Sequence, residues 1–455
     1  MRAENLIICY YNFLSALGYT ILLPLYTPVG IEKGVSKNTC GIVIGTYAIF
    51  QGLVLIYSPV IIQHISKQNL TKGSLLTLLI CFLIYAILDS INNKTLFLLL
   101  SFLSRIAHGG AAGIMNILVY SLAACYNSHS EEELKYVLGY VEFSFNLGFG
   151  GGPFLVSLFY YIGGYPLPFI ISSIFIAVGF KFASKLRFDF VDSRKQSLED
   201  RRNNINNNTY NNTYNNTLSN NNDNDLLSEK LALGPDYNTD NNSTILTYFK
   251  DIDILNNVLT SVAMIFANNH YFATLSDHLI KDYGISVEHA SLFFTIQVFG
   301  YFLSLQFIPF FSYHFGDILS PVLGLIGVAI GCFIYAPFFL LPNSLIIMGI
   351  GMFICGFTEG LVFIPFYINT NEIFRIKYQQ KKEVANDNTA SVFNFSFQIG
   401  DTLAPILGAF ITTNIDFQFS CYTVGVMAFL YSIYYYKYYE VQIKEFLNKN
   451  KDDKN

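Results

Sequence analysis

The sequence predicts an all-α membrane protein: twelve transmembrane helices arranged as two pseudo-symmetric six-helix bundles. Three observations lead there. Only 13% of the 455 residues are charged and 52% are hydrophobic, against about 25% charged in soluble globular domains, so a bilayer has to solvate much of the surface. The apolar residues fall into runs close to the ~20 residues that a spanning helix needs. A stretch of the first half also returns in the second half at a constant offset.

The first run starts at Asn5 and continues past Leu25. It is too long for a secretory signal core and has no small-residue cleavage site, so it reads as the first span. Five further runs lie near 40–63, 73–91, 95–125, 136–162 and 167–185. The second set lies near 254–280, 287–311, 318–341, 344–371, 388–413 and 417–437. The run at 254–280 is the weakest, since it contains Asn268, Asn269, His270 and Asp277. These runs divide the chain into an N-terminal bundle (1–186), a linker (187–250), a C-terminal bundle (251–440) and a tail (441–455).

Basic residues orient the helices, because cytoplasmic loops are enriched in Lys and Arg. Of the 27, four (Lys33, Lys37, Lys94 and Lys281) fall at one end and Arg105 lies inside a helix; the rest share the end that holds both termini. Lys67, Lys72, Lys135, Lys181, Arg375 and Lys377 are among those flanking helices there. Both termini are therefore expected in the cytoplasm. The asparagine-rich stretch from Asn203 to Ile245 has too few apolar residues to offset ordering entropy and reads as a disordered cytoplasmic linker. Its sequons at Asn207, Asn211 and Asn215 would then face the wrong compartment for glycosylation.

A net charge of −5 argues against a nucleic-acid partner. The seven cysteines are scattered through apolar runs without a CxxC pair, so neither a disulfide framework nor a metal site is implied. His270, Asp277 and His278 are too far apart along the chain for a metal reading. There is no phosphate-binding glycine loop, hydrolase elbow or HExxH, so no enzyme activity or cofactor is expected.

The repeat is specific. Glu142-Phe-Ser-Phe-Asn-Leu-Gly148 followed by Gly152-Pro153 matches Asn394-Phe-Ser-Phe-Gln-Ile-Gly400 followed by Ala404-Pro405, at an offset of 252 throughout. Two related halves around a midplane site are a recurrent plan in secondary transporters.

On these residues the chain resembles the major facilitator superfamily, in particular the drug:proton antiporter branch that includes the vesicular amine transporters. Gly139, Gly148, Gly152 and Pro153 keep the spacing of that branch's fifth-helix antiporter motif, G-x8-G-x3-G-P-x2-G-G, with Val156 and Ser157 in place of the last glycines. Arg105 and Gly109 resemble its fourth-helix R-x3-G motif, and Ile21-Leu-Leu-Pro24 through Gly41-Ile-Val-Ile-Gly45 resembles its opening. There are departures. The loop from Ser58 to Lys67 keeps neither the Gly nor the Asp of the family's gating motif, and Ser15 and Asn394 stand where monoamine carriers place aspartates. The resemblance implies the major facilitator fold, a monomer, and a polyamine-like rather than monoamine substrate.

An ionised group at the bilayer centre costs several kcal/mol unless it faces a cavity or a partner. The candidate substrate- and proton-binding residues are therefore Arg105, His108, Glu142, Glu359, Asp401 and Asn394. Arg105, His108 and Asn116 share one stripe of the fourth helix, and Asn394, Gln398 and Asp401 share one of the eleventh. Asn12, Ser15 and Tyr19 form a milder stripe on the first. Glu359 lies mid-helix and, across the repeat, opposite His108; because burial favours the neutral carboxyl group, it could exchange a proton with a cationic substrate. For Glu142, pairing with Arg105 is an equal alternative. The expected function is proton-coupled antiport of small organic cations, polyamine- or drug-like, across the plasma membrane or the membrane of an acidic vesicle or vacuole. The alternatives are a facilitator or symporter of neutral or anionic solutes with Arg105 as the anion's partner, or a non-transporting transceptor.

Overall fold

A computed structural model describes residues 2–127, 131–183, 186, 245–336, 342–380 and 382–452. All regular structure among them is helical. The expected disordered linker falls almost wholly outside these residues.

The N-terminal half comprises α1 (Ala3–Ile21), α2 (Leu23–Glu32), α3 (Lys37–His64), α4 (Lys67–Ile87), α5 (Lys94–Tyr126), α6 (Glu131–Gly163) and α7 (Pro166–Ala183). The C-terminal half comprises α8 (Ile252–Asn269), α9 (Leu275–Tyr283), α10 (Val287–Tyr335), α11 (Leu345–Ile376), α12 (Lys382–Asn414), α13 (Phe417–Tyr438) and α14 (Glu440–Asp452). Capping side chains set several starts: Ser36 accepts from Thr39 N at 3.2 Å, Asn93 from Leu96 N at 3.0 Å and Asp251 from Asp253 N at 3.1 Å.

Among the described residues, thirteen of the fourteen α-helices make the twelve crossings. The first span is α1 and α2, joined at Leu22; the seventh is α8 and α9, broken between His270 and Thr274. At 1.5 Å per residue the 49-residue α10 is more than twice the thickness of a bilayer's hydrocarbon core. It supplies the eighth and ninth spans, divided at Gly316, whose φ of 73° and ψ of 168° interrupt the helix. α14 lies beyond the last span, where Ile443 and Leu447 pack on Val322 and Tyr435, and Phe446 covers Gly316. Seven described helical stretches are long and apolar enough to span on composition alone. α8 and α12 are not among them, because Asn268, Asn269, Gln398 and Asp401 interrupt their apolar runs.

The repeat seen in the sequence is present in the backbone. α6 and α12 are each 33 residues long. A Cβ on Gly148 would come within 2.3 Å of the Phe13 carbonyl, and one on Gly400 within 2.7 Å of Ile265 Cβ; both pairs are separated by the offset of 252. The helix breaks obey it too, since α2 opens at Leu23 and α9 at Leu275. Beyond them the offset is 250: Gly34 and Gly284 end the short helices with φ of 76° and 64°, and Ser36 and Ser286 open the next. On the fourth and tenth spans, Gly109 against the Tyr47 carbonyl corresponds to Gly356 against that of Gln297. This pairing sets Glu359 opposite Ala112 and corrects the alignment with His108.

Two seams join the halves. α3 lies on α12, where a Cβ on Gly41 would reach the Pro405 carbonyl at 2.4 Å, and α6 lies on α10, where Gly150 abuts Val298. At the end away from the termini, α2 packs on α9. There Asp277, 3% exposed, receives Lys37 at 2.6 Å and Lys281 at 2.8 Å.

Candidate functional site

Between the halves lies a cavity of about 70 Å³, several times what one water molecule needs. Each wall is a helical stripe with i, i+4 spacing. α6 contributes Glu142, Asn146 and Phe149, and α10 contributes Gln297 and Tyr301. Glu359 and Phe363 come from α11, Phe393 and Phe397 from α12, and Asn269 from the last turn of α8. The cavity therefore holds two carboxyl groups, one from each half, among aromatic rings and side-chain amides.

The two carboxyl groups are held differently. Glu142 accepts a hydrogen bond from the Tyr120 hydroxyl of α5, and Asn146 donates to the Glu142 carbonyl at 2.9 Å. Glu359 has no hydrogen bond or ion pair recorded among the described residues and faces the cavity. Gln297 accepts from the Tyr271 hydroxyl, which fixes its amide at the wall.

Arg105 does not pair with Glu142. Fully buried, it lies over the rings of Tyr19 and Tyr47, at 5.8 and 5.4 Å, and its three guanidinium nitrogens have no hydrogen-bond partner among the described residues. The two rings stack on each other at 4.6 Å, and Arg105 is not among the residues that line the cavity. A cation over ring faces gains about 2 kcal/mol when desolvated, which offsets part of the cost of burial. Asp401, 2% exposed, lies across the seam within electrostatic reach of Arg105 and Tyr19 and accepts from Asn269 Nδ2 at 2.5 Å.

His108 lies behind Arg105, with Nδ1 3.1 Å from the Tyr85 hydroxyl. The C-terminal half repeats the contact, with His270 Nε2 3.0 Å from the Tyr335 hydroxyl. His270 occupies the position matched by Gly18, and Gly18 is bare where a Cβ would stand 2.7 Å from His108 Nε2. The imidazole thus reaches the same place from a different helix in each half. Asn394 is not on the cavity wall; its amide donates back to the Ala390 carbonyl at 2.9 Å. Asn12 ties α1 to α6 through the Val141 carbonyl at 2.9 Å. His270, Asp277 and His278 turn to separate partners: Tyr335, the two lysines and Asp282.

Of the antiporter-motif residues, Gly148 and Gly152 pack on α1, a Cβ on Gly139 would meet nothing within 4 Å among the described residues, and Pro153 lies within α6. Sequence reasoning missed Tyr120, Gln297 and Tyr301, and noted Asn269 only as a polar interruption. The stripe Gln297–Tyr301 was available as a signal; the bond from Tyr120 to Glu142 was not, because it joins separate helices.

A family profile described as the Major Facilitator Superfamily matches residues 8–205 and 258–454. The chain belongs to that superfamily and is an integral, multi-pass membrane protein. Among curated proteins it is similar to the MFS-type transporter SLC18B1 of Rattus norvegicus, 26% identical over 159 residues, which are 35% of this chain and 34% of that protein. The Mus musculus counterpart gives the same identity and coverage. The match thus spans about a third of each relative's length. Among solved structures, a POT family transporter in complex with 5-aminolevulinic acid has a TM-score of 0.68 at 13% identity, covering 97% of this chain and 96% of that one. A D-xylose–proton symporter gives 0.66 at 13%, covering 96% and 97%. Such likeness establishes the major facilitator fold across both halves.

Proposed function

We propose that this superfamily member is a secondary active transporter that exchanges small organic cations for protons by alternating access. One observation carries the reading: Glu142 from one half and Glu359 from the other line a single aromatic-walled cavity, whereas Arg105 does not line it. Carboxylates attract a cation electrostatically, ring faces add to that attraction, and a proton competes for the same oxygens. The seal of α2 on α9 at the far end fits a state open toward the termini. Ser15 and Asn394, in place of the acidic groups of monoamine carriers, favour a polyamine-like substrate. The distribution of Lys and Arg supports cytoplasmic termini, in the plasma membrane or that of an acidic vesicle or vacuole.

The guanidinium of Arg105, buried without a hydrogen-bond partner among the described residues, favours a second reading, a carrier of anions.

The test is proton flux from acid-loaded proteoliposomes on addition of polyamines, monoamines and cationic drugs in turn, for the wild type and Glu359→Gln. Internal alkalinisation by a cation, lost in the variant, is the expected result. No response to any of them from folded protein overturns the cation reading and brings anions forward.

A further inference from the structure

Asn269 ends α8 where the seventh span breaks, and it has two neighbours of different kinds. On one side its Nδ2 donates to Asp401 Oδ1 at 2.5 Å. On the other it lines the cavity beside Gln297 and Glu359. Asp401 itself is absent from the cavity wall and almost fully buried. The charged and titratable groups facing Asp401 are Arg105 of α5, Tyr19 of α1, Tyr47 of α3 and Glu359 of α11. The Asn269 amide is thus a direct polar link between Asp401 and the cavity.

We propose that Asn269 is a positioning residue that reports the protonation of Asp401 to the cation cavity by reversing its amide; this rests on the cation-exchange reading above. An ionised carboxylate only accepts hydrogen bonds. It therefore holds the amide NH2 in a charge-assisted bond and turns the amide oxygen away, toward the cavity, where it attracts a cation. A protonated Asp401 gains an O–H donor, which is best satisfied by the amide oxygen. The amide then rotates by about 180° and presents its NH2 to the cavity, where it opposes a cation. The proton stays on the Asp401 carboxyl throughout. Cation in the cavity and proton on Asp401 become alternatives, as exchange requires, although the two sites do not overlap.

The test uses the full chain in proteoliposomes with labelled 1,4-diaminobutane. Two rates are read: accumulation driven by a proton gradient, and exchange at equal pH, which needs no proton movement. For Asn269→Ala, driven accumulation is expected to fall roughly tenfold or more, the scale of one charge-assisted hydrogen bond, and to fall further than exchange, which loses only the contact between the amide and the cation. Asn269→Gln should restore part of the accumulation. Infrared difference spectra on a pH step should show the Asp401 carboxyl band, identified with Asp401→Asn, shifted in Asn269→Ser, a variant that also serves if Asn269→Ala does not fold. Equal loss of both rates in folded variants, or retention of both, overturns the proposal and leaves cation exchange standing. Absence of exchange in the wild type with any cation overturns both.

Discussion

Lys37 Nζ lies 2.6 Å from Oδ2 of Asp277, an ion pair between the first half of the chain and the second at the end away from the termini. Asp277 is buried, and among the described residues Lys281 is the ion-pair partner that remains if Lys37 is removed. Breaking one arm of such a buried cluster costs about 1–2 kcal/mol, less than for an isolated buried pair, or roughly 5–30-fold in an equilibrium. Lys37→Met should therefore weaken the far-end seal. The measurement is the labelling rate, from that side, of a cysteine placed at Phe272; the rate should rise by about that factor.

Two glycines of one motif should respond in opposite ways. Gly148→Ala drives a methyl group into the Phe13 carbonyl, whereas one on Gly139 would meet nothing within 4 Å among the described residues. Overpacking costs about 1–3 kcal/mol, so Gly148→Ala should lower the melting temperature in detergent by several degrees. Gly139→Ala should leave it unchanged or slightly higher.

The hydroxyl of Tyr120 holds one oxygen of Glu142. Tyr120→Phe removes a bond to a carboxyl group, worth about 1.5–3 kcal/mol when the group is charged, and leaves Glu142 free to turn. Half-saturation by cation should rise on the order of tenfold with little change in melting temperature. A parallel fall in thermal stability would instead mark Tyr120 as a packing residue.

At the other end, Asp251 receives Lys377 at 2.8 Å and Tyr378 at 3.1 Å. Burial pushes its carboxyl group up, but the bonds from Lys377, the Asp253 N–H and Tyr378 outweigh it and hold the group below its ordinary value. A depressed carboxylate stabilises fully above the unfolded value, about 3.9, and that contribution is lost as pH falls through the folded value. The difference in melting temperature between wild type and Lys377→Met should be constant from about pH 7 to 5 and shrink below about pH 4.

The fold was legible because hydropathy and a constant offset act over long stretches, and a spanning helix has little choice of conformation once in a bilayer. Glu142 and Glu359 stand out in the sequence as ionisable residues inside apolar runs, and the fold brings them to one cavity, whereas the polar stripes read on α1, α5 and α12 do not line it. What lay outside the sequence were the cross-helix partners. Glu142 meets Tyr120 rather than Arg105 because adjacent spans bring those two together, and Arg105 rests on tyrosines from two other helices. Asn394 satisfies its own helix, a choice that a polar stripe cannot reveal.

The short helices α2 and α9 are copies in backbone but not in charge. By the offsets of the repeat, Leu25 and Val287 occupy the positions that match Asp277 and Lys37. The clasp is ionic on one side of the pseudo-twofold axis and apolar on the other. If the two halves were expressed as separate polypeptides, this asymmetry would sort them: each should assemble with the other rather than with itself.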